Sequence, residues 1–118
     1  MICLTGHSYQ KSNKKIRNNN VLYNTAIDKE NSLELRMSVR PDHLAYAEEK
    51  GITVLAGPLL TEMDDPKPRG SMLIVEVESR VQAEEFAAND PYNKAGLFEK
   101  ITIHRWMGAL GPWLPRQG

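Results

Sequence analysis

Apolar and polar positions change period along the chain, and each change marks an element. Val21 to Ile27 is rich in β-branched and aromatic types and stops at the polar run Asp28 to Ser32, which predicts a first strand and its exit loop. Asn24 is the weakest position of that strand. From Leu33 the period becomes helical: Leu33, Met37, Leu44 and Ala47 share one face, which is expected to be the buried one, and Gly51 supplies a stop. Pro41 interrupts this pattern, so either a helix starts there or a short leading turn kinks at Arg40-Pro41. Ile52 to Ala56 predicts a second strand, which Gly57-Pro58 ends or bends at a sheet edge. The Pro-rich, charged stretch Thr61 to Gly70 reads as an exposed, mobile connection, and Met72 to Val77 as the clearest strand, with Leu73, Val75 and Val77 on one face.

Ser79 stands three before Gln82 in a capping-box pattern and predicts a helix from Arg80 to about Ala88 that buries Ala83, Phe86 and Ala87. Asp90-Pro91 must end it, because a residue before proline is pushed out of the helical region. Phe98 to Trp106 then alternates Ile101, Ile103 and Arg105 against Thr102, His104 and Trp106, as a last strand would. The order β-α-β-β-α-β predicts an α+β, ferredoxin-like domain: a four-stranded antiparallel sheet with two helices on one face. Leu22, Met72, Ile74 and Trp106 are assigned to the other face, where they would leave an apolar patch. Pairing of two such faces covers it most cheaply, so a homodimer is expected.

Charge divides the chain into unlike parts. Residues 1–20 carry Lys11, Lys14, Lys15 and Arg17 and no acid; without those four bases, a chain of 15 basic and 15 acidic residues leaves 21–118 with a net charge of −4. An acidic body repels polyanions, so nucleic acid is not an expected partner. The expected organisation is a flexible basic extension over 1–20, the domain over 21–107 and a Gly/Pro-rich tail over 108–118. Cys3 is the only cysteine, which excludes an internal disulfide and a CxxC metal site. No apolar run approaches the ~18 residues of a membrane span, and a cytoplasmic protein that binds no membrane is the default.

Candidate chemistry centres on His43, since an imidazole can move a proton near neutral pH if a partner fixes its tautomer. On a helix continuous across Pro41, Arg36, Arg40 and His43 fall within about 60° of one another at the border of the apolar stripe, where the bases would suit a small anionic ligand. A solvent-facing histidine beside two solvated arginines is the other reading. Asp90 sits on a rigid Asp-Pro turn, where a carboxylate can either orient an imidazole or simply satisfy local amides. Ser71 and Tyr92 can donate hydrogen bonds to a substrate oxygen, or merely pack. His7, His43 and His104 lack the close spacings of zinc ligands, so no metal is expected, and no phosphate loop or G-x-S-x-G elbow occurs.

Several of these segments occur together in one known pattern. Leu33 to Arg36, Arg40-Pro41-Asp42-His43-Leu44-Ala45-Tyr46, Leu55 to Leu59, Arg69-Gly70-Ser71, Asn89-Asp90-Pro91-Tyr92 and Ala95 to Phe98 resemble, in order and over residues 21 to about 107, the YciI-like family of the dimeric ferredoxin-like α/β-barrel superfamily. The resemblance implies a His/Asp site at His43 and Asp90, and isomerase, lyase or dehalogenase-like chemistry on small unsaturated or aromatic-derived acids. Residues 1–20 have no counterpart in a typical member, and Asn24-Thr25 stands where the family has an apolar stretch.

The leading expectation is therefore a cofactor-independent enzyme in which His43 shuttles a proton, Asp90 holds its tautomer and Arg36 or Arg40 attracts an anion. The alternative is a non-catalytic dimeric module that binds the same small anion without turning it over. RNA binding has the right element order and an Arg69-Gly70 pair, but Ser71 to Val77 offers no aromatic side chain for a base to stack on.

Overall fold

The computed structural model describes residues 21–112. The basic extension 1–20, with Cys3 and His7, and the tail beyond 112 lie outside the described residues. Strand β1 (Val21–Asp28) leads to helix α1 (Leu33–Lys50), strands β2 (Thr53–Leu60) and β3 (Pro68–Glu76), helix α2 (Arg80–Ala88), a single turn α3 (Pro91–Lys94) and strand β4 (Phe98–Trp106). The sheet order is β2-β3-β1-β4 with every neighbouring pair antiparallel, the split arrangement of a ferredoxin-like α+β domain. No helix among the described residues is long and apolar enough to cross a membrane.

Register decides which side chains meet the helices. Leu22 pairs with Val75 and Arg105, Asn24 with Leu73 and Ile103, and Ala26 with Ser71 and Ile101, so these positions share one face. On it Leu22, Leu73, Val75, Val77, Ala83 and Phe86 form the main core, with Tyr46, Ile52 and Ile103 packed around them. Leu22 thus belongs to the helix-covered face and not, as its sequence position was read, to the outer one. A one-residue error of parity moves a strand side chain across the sheet. The outer face carries a smaller cluster of Val21 and Ile74 with Val54 and Met72, and Trp106 stays 37% exposed.

Two further expectations are corrected. Of the two readings of Gly57-Pro58 the stop fails and the sheet edge holds: β2 runs through to Leu60, because it is an edge strand and Pro58 needs no ladder donor on its free side. The following connection is short, since β3 already begins at Pro68. Thr61 and Lys67 close it: the Thr61 amide donates to the Lys67 carbonyl at 2.9 Å, and the Lys67 amide to Thr61 Oγ1 at 3.0 Å. Helix α1 crosses Pro41 without a break and ends at Gly51, whose φ of 67° suits the residue without a Cβ.

The inward face of α1 is the third correction. Arg36 and His43 are its buried residues, whereas Leu33, Met37 and Leu44 are 38%, 51% and 40% exposed. The helix turns its polar stripe inward because carboxylates from other elements meet it there. Helix α2 follows expectation, with Ser79 Oγ accepting from the Gln82 amide and Ala83, Phe86 and Ala87 buried. The Gln82 side chain reaches back one residue further than in a regular capping box and accepts from the Glu78 amide at 2.6 Å.

Candidate active site

The site lies where α1 crosses the ends of β1 and β3 and the start of α3. Asp90 caps α3: its Oδ1 accepts from the Tyr92 amide at 2.9 Å, and Pro91 takes the first helical position. That turn fixes a carboxylate only 4% exposed. His43 Nδ1 lies 2.9 and 3.0 Å from the two carboxylate oxygens. An ionised carboxylate only accepts, so the proton of the neutral imidazole sits on Nδ1 and Nε2 carries a lone pair. Nε2 has no hydrogen-bond partner among the described residues.

One turn of α1 carries the second half of the site. Arg36 is 4% exposed and donates from Nε to Asp28 Oδ2 at 2.8 Å and from Nη2 to Asp28 Oδ1 at 3.2 Å, a forked pair. The same Nη2 donates to Ser71 Oγ at 2.7 Å, and Nη1 reaches Tyr92 Oη at 3.5 Å. Tyr92 is packed between these groups. Its ring stacks with His43 at 4.0 Å between centroids, the Arg36 guanidinium carbon is 4.6 Å from its centroid, and Phe98 meets it edge-on at 5.8 Å. Burial raises the Tyr92 phenol above its ordinary value, against the opposing pull of Arg36 and Arg40. Tyr92 therefore remains a donor at neutral pH.

Arg36, His43, Ser71 and Tyr92 border one cavity of about 390 Å³, within the ~300–1,000 Å³ usual for small-molecule sites. Arg36, Arg40, His43, Ser71 and Tyr92 supply its polar wall; Met37, Leu44, Leu73 and the β2 segment Ala56-Gly57-Pro58 supply the apolar one. A larger hollow of about 910 Å³ on the other flank of α1, bordered by Asp42, Lys50, Glu85 and Lys94, is more open and gathers no buried ionisable cluster. The smaller cavity is the one with chemistry in it.

All six residues singled out from the sequence, Arg36, Arg40, His43, Ser71, Asp90 and Tyr92, come together here. Their burial differs from expectation. Arg36 and His43 sit at the centre of the helix's inner face, not at a solvent border, and Arg36 is already paired by Asp28. Arg40 is exposed and has no ion-pair partner among the described residues, which leaves it as the cation available at the cavity. Asp28 was missed, having been read as part of an exit loop. Its even parity with Leu22, Asn24 and Ala26 points it to the helix face, where a carboxylate demands a base.

Comparison with known proteins agrees with this architecture. Protein YciI of Escherichia coli O6:H1 is 40% identical over 85 residues, covering 66% of this chain and 87% of the relative. An uncharacterized protein of Haemophilus influenzae is 34% identical over 88 residues, with the same shares covered. Among solved structures, 5-chloro-2-hydroxyhydroquinone dehydrochlorinase (TftG) from Burkholderia phenoliruptrix AC1100, in complex with 2,5-dihydroxybenzoquinone, superposes with a TM-score of 0.68 at 36% identity, over 75% of this chain and 95% of that one. Residues 22–107 match the YCII-related domain, and the chain belongs to that family.

Proposed function

We propose that the protein is a small acid–base enzyme acting on a compact, anionic, unsaturated or aromatic-derived molecule held in the 390 Å³ cavity. The observation that carries this reading is the buried His43–Asp90 contact of 2.9 Å, which leaves Nε2 as the free proton acceptor of a cavity-lining imidazole. Asp90 holds the tautomer and stabilises the imidazolium that forms when Nε2 takes a proton. Arg40 draws in the anion, and the apolar wall from Met37, Leu44 and Pro58 accommodates a carbon skeleton. Similarity to a dehydrochlorinase bound to a dihydroxybenzoquinone supports a ring of hydroquinone type as the substrate class.

The chemistry is a proton transfer with defined ends. His43 Nε2 takes a proton from carbon next to a carbonyl, or from a ring hydroxyl, and the electron pair moves onto the substrate oxygen. Return of the proton at another carbon completes an isomerisation; departure of a β-leaving group such as chloride completes an elimination. Neither route consumes a redox equivalent, and this reading assigns no step to a cofactor. The working unit is proposed to be a homodimer paired through the outer sheet face, where Met72, Trp106 and Tyr23 stand partly exposed.

Turnover of chlorinated and unchlorinated hydroquinones by the wild type and by His43→Ala tests the reading. Loss of about two to four orders of magnitude in kcat is expected from removal of a general base. Equal turnover in both proteins excludes His43 as the base. Saturable binding with no conversion in the wild type would place the protein among binding modules instead.

A further inference from the structure

The cavity has its polarity reversed. Arg36, His43, Ser71 and Tyr92, its polar wall, are all buried. Its apolar wall is the outer one: Met37 and Leu44 border the cavity yet stay 51% and 40% exposed, and Ala56, Gly57 and Pro58 of β2 are exposed as well. Large apolar side chains ordinarily go inside and polar ones out, so an apolar rim around a polar interior marks a place where an occupant leaves its own apolar part at the mouth.

Two features of the fold produce the rim. Helix α1 presents its apolar stripe outward because Asp28 and Asp90 hold Arg36 and His43 inward. Strand β2 is an edge, so among the described residues no further strand lies beside Ala56 to Pro58 to close the cavity there. Met37 and Leu44 are about two turns, or ~10 Å, apart along the helix. The outcome is an apolar trough between α1 and β2, continuous with the cavity and open to water.

We propose that this trough is a substituent subsite, and that the ligand is a hydroquinone-type ring bearing a short alkyl chain, its oxygenated edge innermost and its chain along Met37, Leu44 and Pro58. This deepens the reading of the cavity as the site of a small-molecule enzyme and rests on it for the ring. Continuity selects the occupant: a ring whose oxygens meet the buried donors leaves its opposite edge at the rim, and whatever that edge bears runs out between two apolar walls. A closed pocket admits one size, whereas an open trough takes chains of increasing length, each methylene shedding water against the rim. The unbranched side chain of Met37 adapts to chains of different shape.

Calorimetric titration with methyl-, ethyl-, propyl- and butylhydroquinone, kept reduced under nitrogen, reads the subsite through ligands that carry no leaving group. Full burial of a methylene is worth about fourfold in affinity and a half-exposed rim about twofold, so butylhydroquinone is expected to bind about eightfold more tightly than the methyl compound. Met37→Gln combined with Leu44→Gln, similar in reach but polar, should cut that ratio below about twofold. Val81→Gln, the same change at an exposed position of α2 outside the cavity, should keep the full ratio and so controls for adsorption of longer chains to any surface. Equal affinity across the series, or an equal ratio in the double variant and the wild type, overturns the proposal, as does absence of saturable binding of any member. Sedimentation tests the other occupant: the double variant should keep the wild-type oligomeric state, and a change of state would assign the rim to a second copy of the chain and overturn the subsite. In His43→Ala the chain-length ratio should persist, and the base reading fails separately, by retained turnover in that variant.

Discussion

Replacing Asp28 by alanine removes the carboxylate that pairs with Arg36 and leaves a guanidinium on a residue only 4% exposed. Two charge-assisted hydrogen bonds of 2.8 and 3.2 Å are lost, while Ser71 and Tyr92 keep theirs. Breaking a buried pair by removing one partner costs about 3–5 kcal/mol, most of it the penalty for an uncompensated buried charge. For a domain of this size, where urea slopes run about 1–3 kcal/mol per molar, that corresponds to a fall in the midpoint of about 2 M. The exposed pair Arg80–Glu84, with side chains 50% and 53% exposed, is the internal control, and Glu84→Ala should cost only about 0.3–0.5 kcal/mol. Urea melts followed by circular dichroism compare the two variants directly. Adding Arg36→Met to Asp28→Ala should restore much of the loss, since the isolated charge goes with it. An Asp28→Ala midpoint no lower than that of Glu84→Ala would refute the claim that Arg36 is held buried by Asp28.

Asn24 is 6% exposed and its Oδ1 has no partner among the described residues, so Asn24→Val should stabilise the fold by about 1 kcal/mol, read as a higher urea midpoint; a lower one would mean the amide is satisfied. A Cβ on Gly70 would stand 2.5 Å from the Ala26 carbonyl oxygen, so Gly70→Ala should push β3 from β1 beside Ser71 and lower both the midpoint and ligand affinity; a melt like that of the wild type would contradict the register. Burial raises the phenols of Tyr92 and Tyr46 above the ordinary value of 10.0, with Asp90 and Glu49 adding to it at Tyr46. A group whose folded value is raised holds its proton more tightly when folded, so its contribution is intact below about pH 10 and lost as pH climbs through the raised value. Thermal melts across that alkaline window should decline less steeply in Tyr92→Phe than in the wild type, and parallel declines would show that Tyr92 does not contribute.

Strands β3 and β4 and helix α2 were legible because their signals are local. Alternation in β3 and β4 sorts side chains without reference to anything distant, and Ser79 with Gln82 fixes the start of α2 from within four residues. Helix α1 was misread in its face for the opposite reason. Apolar spacing favoured Leu33, Met37 and Leu44 inward, but Arg36 and His43 are buried by Asp28 and Asp90, one from the strand before α1 and one 47 positions beyond His43. Carboxylates supplied from elsewhere outweigh the apolar stripe, and no window on the helix contains them. Gly57-Pro58 left two readings open, an end to β2 or a bend at a sheet edge, and only the sheet order decides between them. The site residues themselves were reached by residue chemistry and by their joint pattern; their pairing needed the fold.

The central claim is that Asp90 fixes the proton of His43 on Nδ1, and nitrogen-15 NMR of the imidazole tests it most directly. In the wild type the shifts should report a single tautomer, protonated at Nδ1 and bare at Nε2, with a slowly exchanging Hδ1 signal from a buried hydrogen bond. Asn at position 90 still caps α3 but offers an amide in place of a carboxylate, so Asp90→Asn should abolish that fixed tautomer while leaving the fold intact. Identical imidazole shifts in both proteins, or a wild-type ring protonated at Nε2, would contradict the account.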